Sequence, residues 1–182
     1  MKKESDTKKI KYETINALLH RRTIREYNDN EVKKELLNLI LLAAMHAPSF
    51  ENRQPWHFIV VTDDLMLSYL KENLQENIKI NSRAVIIVCG DTNRDNNKGW
   101  WIQDCAAATQ NILLAVHSLD LAASWYGLHP VKHLKELLKK VLRLPKNIQP
   151  FSLVTIGYPT DKISNNWIPS RFDKNKVHYN GW

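Results

Sequence analysis

The sequence predicts a single α+β domain, and three observations support this. The chain has 182 residues, of which 43% are hydrophobic, a length that suits one compact core better than two full domains. Five segments repeat apolar residues at intervals of three and four, as amphipathic helices do. About four shorter apolar segments are bounded by turn residues, as strands are, and residues 84–89 are apolar enough to be covered on both faces.

The first predicted helix covers residues 12–21, where Ile15, Leu18 and Leu19 form one apolar stripe. Residues 1–10 before it are basic and are expected to be a flexible extension. The segment RRTIREY, residues 21–27, begins where this helix ends.

The second helix is expected to begin after the segment NDN, with Asn30 or Asp29 as its cap and Glu31 in its first turn. It should end at Ala47, because Pro48 lacks an N–H group and disfavours helical geometry in the residue before it. The predicted buried face consists of Val32, Leu36, Leu39, Ile40, Ala43 and Ala47.

Residues 57–62 and 84–89 are predicted strands. The segment between them, DDLMLSYLKENLQENI, is predicted to be helical with Leu67, Leu70 and Leu74 on one side. Trp56 is interpreted as a core anchor at the start of the first strand.

The longest predicted helix covers about residues 100–119. Its three consecutive alanines at 106–108 leave room for a second backbone to approach, which predicts the central and most buried helix. Its apolar period is carried by Ile102, Cys105, Thr109, Leu113, Val116 and Leu119.

Residues 120–127 are consistent with a short strand, residues 131–142 with an amphipathic surface helix, and residues 151–159 with a last strand. The lysines of that helix are interpreted as a solvated face. Residues 160–182 carry apolar side chains without a regular period, so this extended tail must be buried against the rest of the chain or against a second subunit. The second arrangement is favoured. The tail's apolar residues are Ile163, Trp167, Ile168, Phe172, Val177, Tyr179 and Trp182.

Composition bounds the partners. The net charge is +7, but the basic residues are spread over several segments and form no nucleic-acid motif, so no nucleic-acid partner is expected. No apolar run has the length of a membrane span or a secretion signal, and a soluble, cytoplasmic protein is expected. Cys89 and Cys105 are expected to be buried and reduced. His129 and His133 are expected to be surface residues rather than metal ligands.

Motifs for self-sufficient hydrolytic or phosphate chemistry are missing: the sequence has no GxSxG, Walker A, HExxH or GxGxxG pattern. The cluster RRTIR does stand out, because three guanidinium groups and a hydroxyl can bind a phosphate. Arginines at a helix C-terminus also complement the helix dipole, and the cluster alone does not decide between the two roles.

Four ordered blocks resemble the nitroreductase family of FMN-dependent flavoproteins. RRTIREY, the helix ending in AAMHAPS, and NRQPWHFIVV are similar to the start of that family. The family's central helix and flavin-edge segment are both matched by DCAAATQNILLAVHSLDLAASWYGLHP. Its last strand is matched by PFSLVTIGYP and its tail by RFDKNKVHYNGW. The resemblance covers about residues 12–182 and implies a three-layer α/β/α sandwich with a mixed, mostly antiparallel sheet and a tail that wraps the partner subunit.

The resemblance also implies cofactor contacts for the arginines. In the family this block holds FMN, so Arg21, Arg22 and Thr23 are expected to contact the phosphate and ribityl groups. Arg25 matches a position whose cation lies beside the flavin pyrimidine ring, where negative charge develops on reduction. Arg171 matches a second phosphate contact, supplied by the tail.

The loop at residues 48–54 is expected to reach FMN that is bound mainly by the other subunit. Pro48 restricts it, so the polar groups of Ser49, Asn52 and Gln54 can be held toward a cofactor. Phe50 departs from the small residue usual in the family, which could narrow the site.

The segment SWYG matches the place where family members direct backbone N–H groups at flavin N5 and O4, which nominates Tyr126 and Gly127. Other departures are Pro169, which stands where a lysine is common and could weaken phosphate binding, and Asp120 and Ala122, which stand at positions that are commonly glycine.

The activity implied is an FMN-dependent oxidoreductase that uses NAD(P)H to reduce nitroaromatic or quinone acceptors in alternating two-electron half-reactions, with a homodimer that binds FMN at its interface. No catalytic side chain and no metal is expected, because the flavin carries the chemistry. The alternatives are a specialised enzyme of the same fold, for flavin fragmentation or reductive dehalogenation, and a non-catalytic flavin-binding protein.

Overall fold

The computed structural model describes residues 13–95, 98–160 and 171–182. Within these residues, one sheet lies between helices on both of its faces. The helices are α1 Glu13–His20, α2 Lys34–Met45, α3 Asp64–Leu74, α4 Trp100–Ser118 and α5 Lys132–Val141. The strands are β1 Trp56–Val61, β2 Ala84–Asp91, β3 Ala122–Gly127 and β4 Ile148–Gly157, and short 3₁₀ turns occur at Phe50–Asn52, Thr92–Asp95 and Lys174–Lys176.

The sheet has the strand order β1-β2-β4-β3, and each neighbouring pair is antiparallel. The parallel element is an isolated bridge between Thr23 and Ala123. Strands β1 and β3 are therefore the two opposite edges of this sheet. The predicted α/β/α arrangement with a mostly antiparallel sheet is confirmed.

Each face of the sheet has its own hydrophobic core. Ile86 and Val88 of β2 belong to the core that packs against α2 and α4. Ile87 and Cys89 of the same strand belong to the core formed with α3 and α5. Successive residues of a strand point to opposite faces, and these four are fully buried. The prediction that this strand is covered on both sides is confirmed.

Helix α4 is the most buried helix, as predicted. The Cys105 thiol on this helix lies 3.6 Å from the carbonyl oxygen of Cys89 and donates to it. Both cysteines are free and buried, and burial raises the pKa of Cys89 to about 12. The expectation of two buried, reduced thiols is confirmed.

The predicted start of the second helix was wrong. Helix α2 begins at Lys34, and Lys33, which precedes it, makes no side-chain capping bond. The side-chain oxygen of Asn28 instead accepts the backbone N–H of Asn30 at 3.0 Å. Asn and Asp side chains stabilise such local turns as readily as they cap helices, so the NDN segment forms a turn and Glu31 lies outside the helix.

The predicted buried face of the second helix was partly wrong. Leu37, Ile40 and Ala44 are the buried residues of α2, whereas Leu39 is 51% exposed. Ala47 is buried but follows the helix, which ends at Met45. The error arises because α2 carries leucines on its outer side as well, so apolar spacing alone does not fix the face that packs on the sheet.

Helix α3 ends four residues earlier than predicted, at Leu74 rather than at residue 78. Asp63 caps its start by accepting the N–H of Met66 at 2.9 Å. Leu67, Leu70 and Leu74 are buried, as predicted, and Trp56 is a buried anchor at the start of β1.

The described part of the tail leaves apolar side chains on the surface of the chain: Val177 is 38% exposed, Tyr179 84% and Trp182 103%. Ile163, Trp167, Ile168 and Pro169 lie outside the described residues. Within the described part of the chain, no helix is both long enough and apolar enough to cross a bilayer.

Candidate cofactor site

The arginine-rich segment lies along the outer edge of the sheet. Helix α1 ends at His20, and the chain then runs beside β3, where Thr23 bridges to Ala123. The backbone N–H of Ile24 donates to the carbonyl oxygen of Ala123 at 3.0 Å. Backbone pairing with β3 therefore fixes where the flanking arginines emerge.

Arg22 has two roles. Its Nη1 donates to the carbonyl oxygens of Leu19 at 3.1 Å and Arg21 at 2.5 Å, which satisfies backbone acceptors at the C-terminus of α1. Its Nη2 is buried and, like the buried Nε of Arg21, has no hydrogen-bond partner among the described residues. Helix capping therefore leaves two buried guanidinium donors unsatisfied, and an unsatisfied charged donor is costly.

The charges around these donors are of one sign. Burial lowers the pKa of Arg21, and the nearby guanidiniums of Arg171 and Arg22 lower it further. Arg21, Arg22 and Arg171, here called the arginine cluster, form no ion pair among the described residues. Burial, Arg21 and His20 also lower the pKa of His117 in the last turn of α4, with Asp120 opposing them. In the described part of the chain no carboxylate pairs with the arginine cluster, and its unsatisfied N–H groups are suited to bind an anion.

Arg25 and Tyr126 lie together at the same edge. The guanidinium carbon of Arg25 is 5.8 Å from the centroid of the Tyr126 ring, and the Tyr126 hydroxyl donates to the carbonyl oxygen of Lys79 at 3.2 Å. Gly127 ends β3, and among the described residues a Cβ atom added there would meet only the carbonyl oxygen of His129, at 3.9 Å. The space beside Gly127 is therefore open to a ligand.

The 48–54 loop has an unusual backbone. Glu51, Asn52 and Gln54 have φ angles of 49°, 54° and 48°, in the left-handed region that residues other than glycine seldom adopt. The Ser49 hydroxyl accepts the N–H of Gln54 at 3.0 Å, and the Gln54 side chain donates to Asn52 Oδ1 at 2.9 Å. The side chains of Asn52 and Gln54 are exposed. The sequence suggested that Ser49 also directs its hydroxyl outward, but this oxygen accepts a hydrogen bond inside the loop.

Two residues that the sequence did not nominate hold this loop. Asp104 of α4 accepts the backbone N–H of Phe50 at 3.0 Å, and the ring of Trp100 stacks on that of Phe50 with centroids 4.9 Å apart. The Phe50 side chain thus packs against α4. The sequence feature that could have identified Asp104 is a charged residue inside an otherwise largely apolar helical face.

Within one chain, the 48–54 loop and the arginine-rich segment are attached to opposite edges of the sheet. The 48–54 loop precedes β1 and the arginine cluster lies beside β3, the opposite edge of the sheet. Three steps of about 4.8 Å between neighbouring strands separate these edges by about 14 Å. A groove of about 590 Å³ beside α2 and β1, lined in part by Lys33, Leu41 and Val60, includes none of the predicted cofactor residues.

No group of three or more His, Cys, Asp or Glu side chains suited to a metal occurs among the described residues. His133 is exposed, but His129 is half-buried, and its Nδ1 is buried without a partner in the described part of the chain. His129 is therefore only partly exposed, and its ring packs edge-on against that of Trp101 with the ring centroids 5.4 Å apart.

Comparison with known proteins assigns the family. The model of the nitroreductase family matches residues 18–101 and 84–158. A protein of Methanothermobacter thermautotrophicus, named as an NADH dehydrogenase/NAD(P)H nitroreductase, is 39% identical over 178 residues, which cover 97% of this chain and 92% of that protein.

Solved structures agree. An FMN-dependent nitroreductase from Clostridium difficile R20291 superposes with a TM-score of 0.82 at 30% identity, covering 92% of this chain and 99% of that one. A nitroreductase from Desulfovibrio desulfuricans, solved in complex with FMN, has a TM-score of 0.70 at 30% identity and covers 86% and 91% of the two chains. Sequence match, fold and relatives therefore agree that this chain belongs to the nitroreductase family of oxidoreductases.

Proposed function

We propose that the protein is an FMN-dependent oxidoreductase that takes electrons from NAD(P)H and reduces nitroaromatic or quinone acceptors. The observation that carries this proposal is the arginine cluster, which has buried donors and no counter-anion among the described residues. The family relatives support it, since one is named for NAD(P)H and another is described as FMN-dependent.

The arginine cluster suits a phosphate group. Guanidinium forks bind phosphate oxygens with two parallel, charge-assisted hydrogen bonds. Arg21 Nε and Arg22 Nη2 are already buried and unsatisfied, so a phosphate would add bonds without displacing existing ones. We assign the phosphate and ribityl contacts to Arg21, Arg22, Thr23 and Arg171.

The ring end of the cofactor is assigned to the same edge of the sheet. Arg25, held over Tyr126, would place a cation where a reduced flavin carries negative charge. The open space beside Gly127 would let the backbone of residues 126 and 127 approach a flat ring. The chemistry that FMN supplies when bound is two-electron transfer, from NAD(P)H in one half-reaction to the acceptor in the other.

We further propose a homodimer in which the 48–54 loop of one subunit completes the cofactor site of the other, with Pro48, Ser49, Phe50, Asn52 and Gln54 in that loop. The separation of the loop from the arginine cluster within one chain supports this. So do the large apolar side chains left exposed on α1 and α2, since surfaces of this kind mark protein interfaces. These side chains, each 46–61% exposed, are Ile15, Leu18, Leu19, Leu39, Leu42 and Met45.

The cytoplasm is the compartment that we propose for this activity. It contains NAD(P)H, and its reducing conditions suit the two free, buried cysteines.

Anaerobic reduction tests the function directly. NADH or NADPH is added to the purified, FMN-loaded protein without oxygen, and the flavin absorbance is followed; each acceptor is then added in turn. We expect the absorbance to bleach with at least one of the two donors and to return with a nitroaromatic or a quinone. Bound flavin that neither donor bleaches would support a non-catalytic flavin-binding protein instead.

A further inference from the structure

We propose that Asp104 is a positioning residue for the cofactor: by accepting the backbone N–H of Phe50, it holds the 48–54 loop in the shape that presents Asn52 and Gln54. The inference rests on the proposed function, because it assumes that this loop contacts FMN. It adds a residue on the central helix that acts on the cofactor through the loop backbone.

The loop needs external support because its backbone is unfavourable. Glu51 and Gln54 lie in the left-handed region at φ 49° and 48°, and neither is a glycine or an asparagine, the residues that tolerate this region best. Conformations of this kind persist only where the surrounding structure determines them, and they concentrate at ligand sites.

The bonds inside the loop do not supply that support by themselves. Ser49 and Asn52 each accept a hydrogen bond from Gln54, and these bonds tie the loop to itself. The bond from Phe50 N–H to Asp104 Oδ1, at 3.0 Å, ties it to α4 across 54 positions of sequence. It is reinforced by the stacking of Phe50 on Trp100.

Other links to the body of the protein are more exposed. Arg53 donates to the carbonyl oxygen of Arg94 at 3.2 Å, and Arg94 donates back to that of Arg53 at the same distance, both in exposed surroundings. Asp104 is only 6% exposed, so water competes less for its bond to Phe50.

Burial of the Asp104 carboxylate on α4 also carries a free-energy cost. Asp104 lies inside a helical face that is otherwise largely apolar, and it forms no ion pair among the described residues. Burying such a group is unfavourable unless it is hydrogen-bonded, and among the described residues the Asp104 side chain accepts its hydrogen bond from the loop. Its contribution is therefore the placement of Phe50 and of the residues that follow.

Two variants at this position separate the hydrogen bond from the charge. Asp104→Ala removes the acceptor, whereas Asp104→Asn keeps an oxygen acceptor of the same shape without the charge. Leu74→Ala is the matched control, because Leu74 is fully buried in α3, in the other core, and its loss destabilises the fold without touching the loop.

The first readout is hydrogen exchange at the amides of residues 50–54 in the FMN-free protein. We expect Asp104→Ala to speed exchange there selectively, Asp104→Asn to match wild type, and Leu74→Ala to raise exchange without selecting the loop. Unchanged loop exchange in Asp104→Ala, or an Asp104→Asn variant that behaves like Asp104→Ala, would overturn the proposal.

The second readout is FMN affinity, measured by fluorescence titration. We expect Asp104→Ala to weaken binding by about tenfold or more, as loss of a preorganised loop contact would, with Asp104→Asn close to wild type. A loosened loop with unchanged FMN affinity would overturn the role toward the cofactor. If the wild-type protein itself fails to bind FMN, the proposed function fails, whereas the exchange experiment still decides whether Asp104 holds the loop.

Discussion

Arg171, near the end of the chain, lies close enough to Arg21 for its charge to lower the pKa of Arg21. Two guanidiniums separated by 150 positions of sequence thus lie within electrostatic range of each other. Two positive charges close to each other repel. A dianion bound between them would attract both guanidiniums and offset this repulsion. This pairing links the tail of the chain to the predicted phosphate site.

The first prediction concerns Arg22. Replacing it by Ala removes the buried Nη2 donor, and we expect FMN affinity to fall by about 1 to 3 kcal/mol, the contribution of a charge-assisted hydrogen bond. Equilibrium dialysis of FMN measures this. Lys140→Ala, which removes one positive charge from the exposed surface of α5, should change affinity little. Equal losses in the two variants would mean that net charge, rather than a built site, governs binding.

The second prediction concerns the homodimer. If Leu42 on α2, which is 54% exposed, lies in the interface, Leu42→Lys should favour the monomer and lower FMN retention. Burial of one leucine contributes about 1.5 to 3 kcal/mol, and in a two-fold interface each substitution occurs twice.

Light scattering at several protein concentrations measures the mass. Leu65→Lys is the control, because Leu65 is an exposed leucine on α3, at 82%, away from α1 and α2. A wild-type monomer that still holds FMN would show that one chain is sufficient.

The third prediction is a pH dependence at Asp104. Burial raises the pKa of Asp104, and the nearby Asp95 acts in the same direction, while the N–H of Phe50 opposes them. Since the folded state then binds this proton more tightly than the unfolded state, stability is lost as pH rises from the ordinary carboxyl pKa of about 3.9 through the raised value.

Asp104→Asn cannot ionise and avoids this loss. We therefore expect the Tm of Asp104→Asn minus that of wild type to become more positive as pH rises from about 4 to about 7. Calorimetry across this range measures the difference. A difference that stays constant or falls would show that ionisation of Asp104 does not cost stability.

The fourth prediction concerns His117. Burial first, and then the charges of Arg21 and His20, lower its pKa, so the folded state binds this proton less tightly than the unfolded state. Stability is therefore lost as pH falls below the ordinary histidine value of about 6.5. In FMN-free protein, His117→Gln should reduce the loss of Tm between about pH 7 and about pH 5. An identical pH profile in the variant and in wild type would contradict this.

The helices and strands could be predicted largely from the sequence because their burial follows local periodicity. Leu67, Leu70 and Leu74 repeat on one side of α3 and are buried. The same logic failed at Leu39, since apolar spacing does not distinguish a residue that packs in the core from one left on the surface of the chain.

The candidate site was predictable only in part. Arg21 and Arg22 are adjacent in sequence and follow a helix, so local composition could nominate them. Asp104 accepts a hydrogen bond from Phe50, which is 54 positions away in sequence. No local sequence pattern predicts a hydrogen bond between residues so far apart. Arg171 could be nominated as a phosphate contact only from the family resemblance, because its proximity to Arg21 depends on the path of the tail.

The central claim is that the arginine cluster binds the phosphate of a flavin, and a comparison of FMN with riboflavin tests it most directly. The two ligands share the ring and differ in the phosphate, so the ratio of their dissociation constants isolates that group. We predict that the wild-type protein binds FMN at least about tenfold more tightly than riboflavin, and that an Arg21→Ala/Arg22→Ala variant largely loses this preference. Equal affinities of the wild-type protein for both ligands would contradict the account.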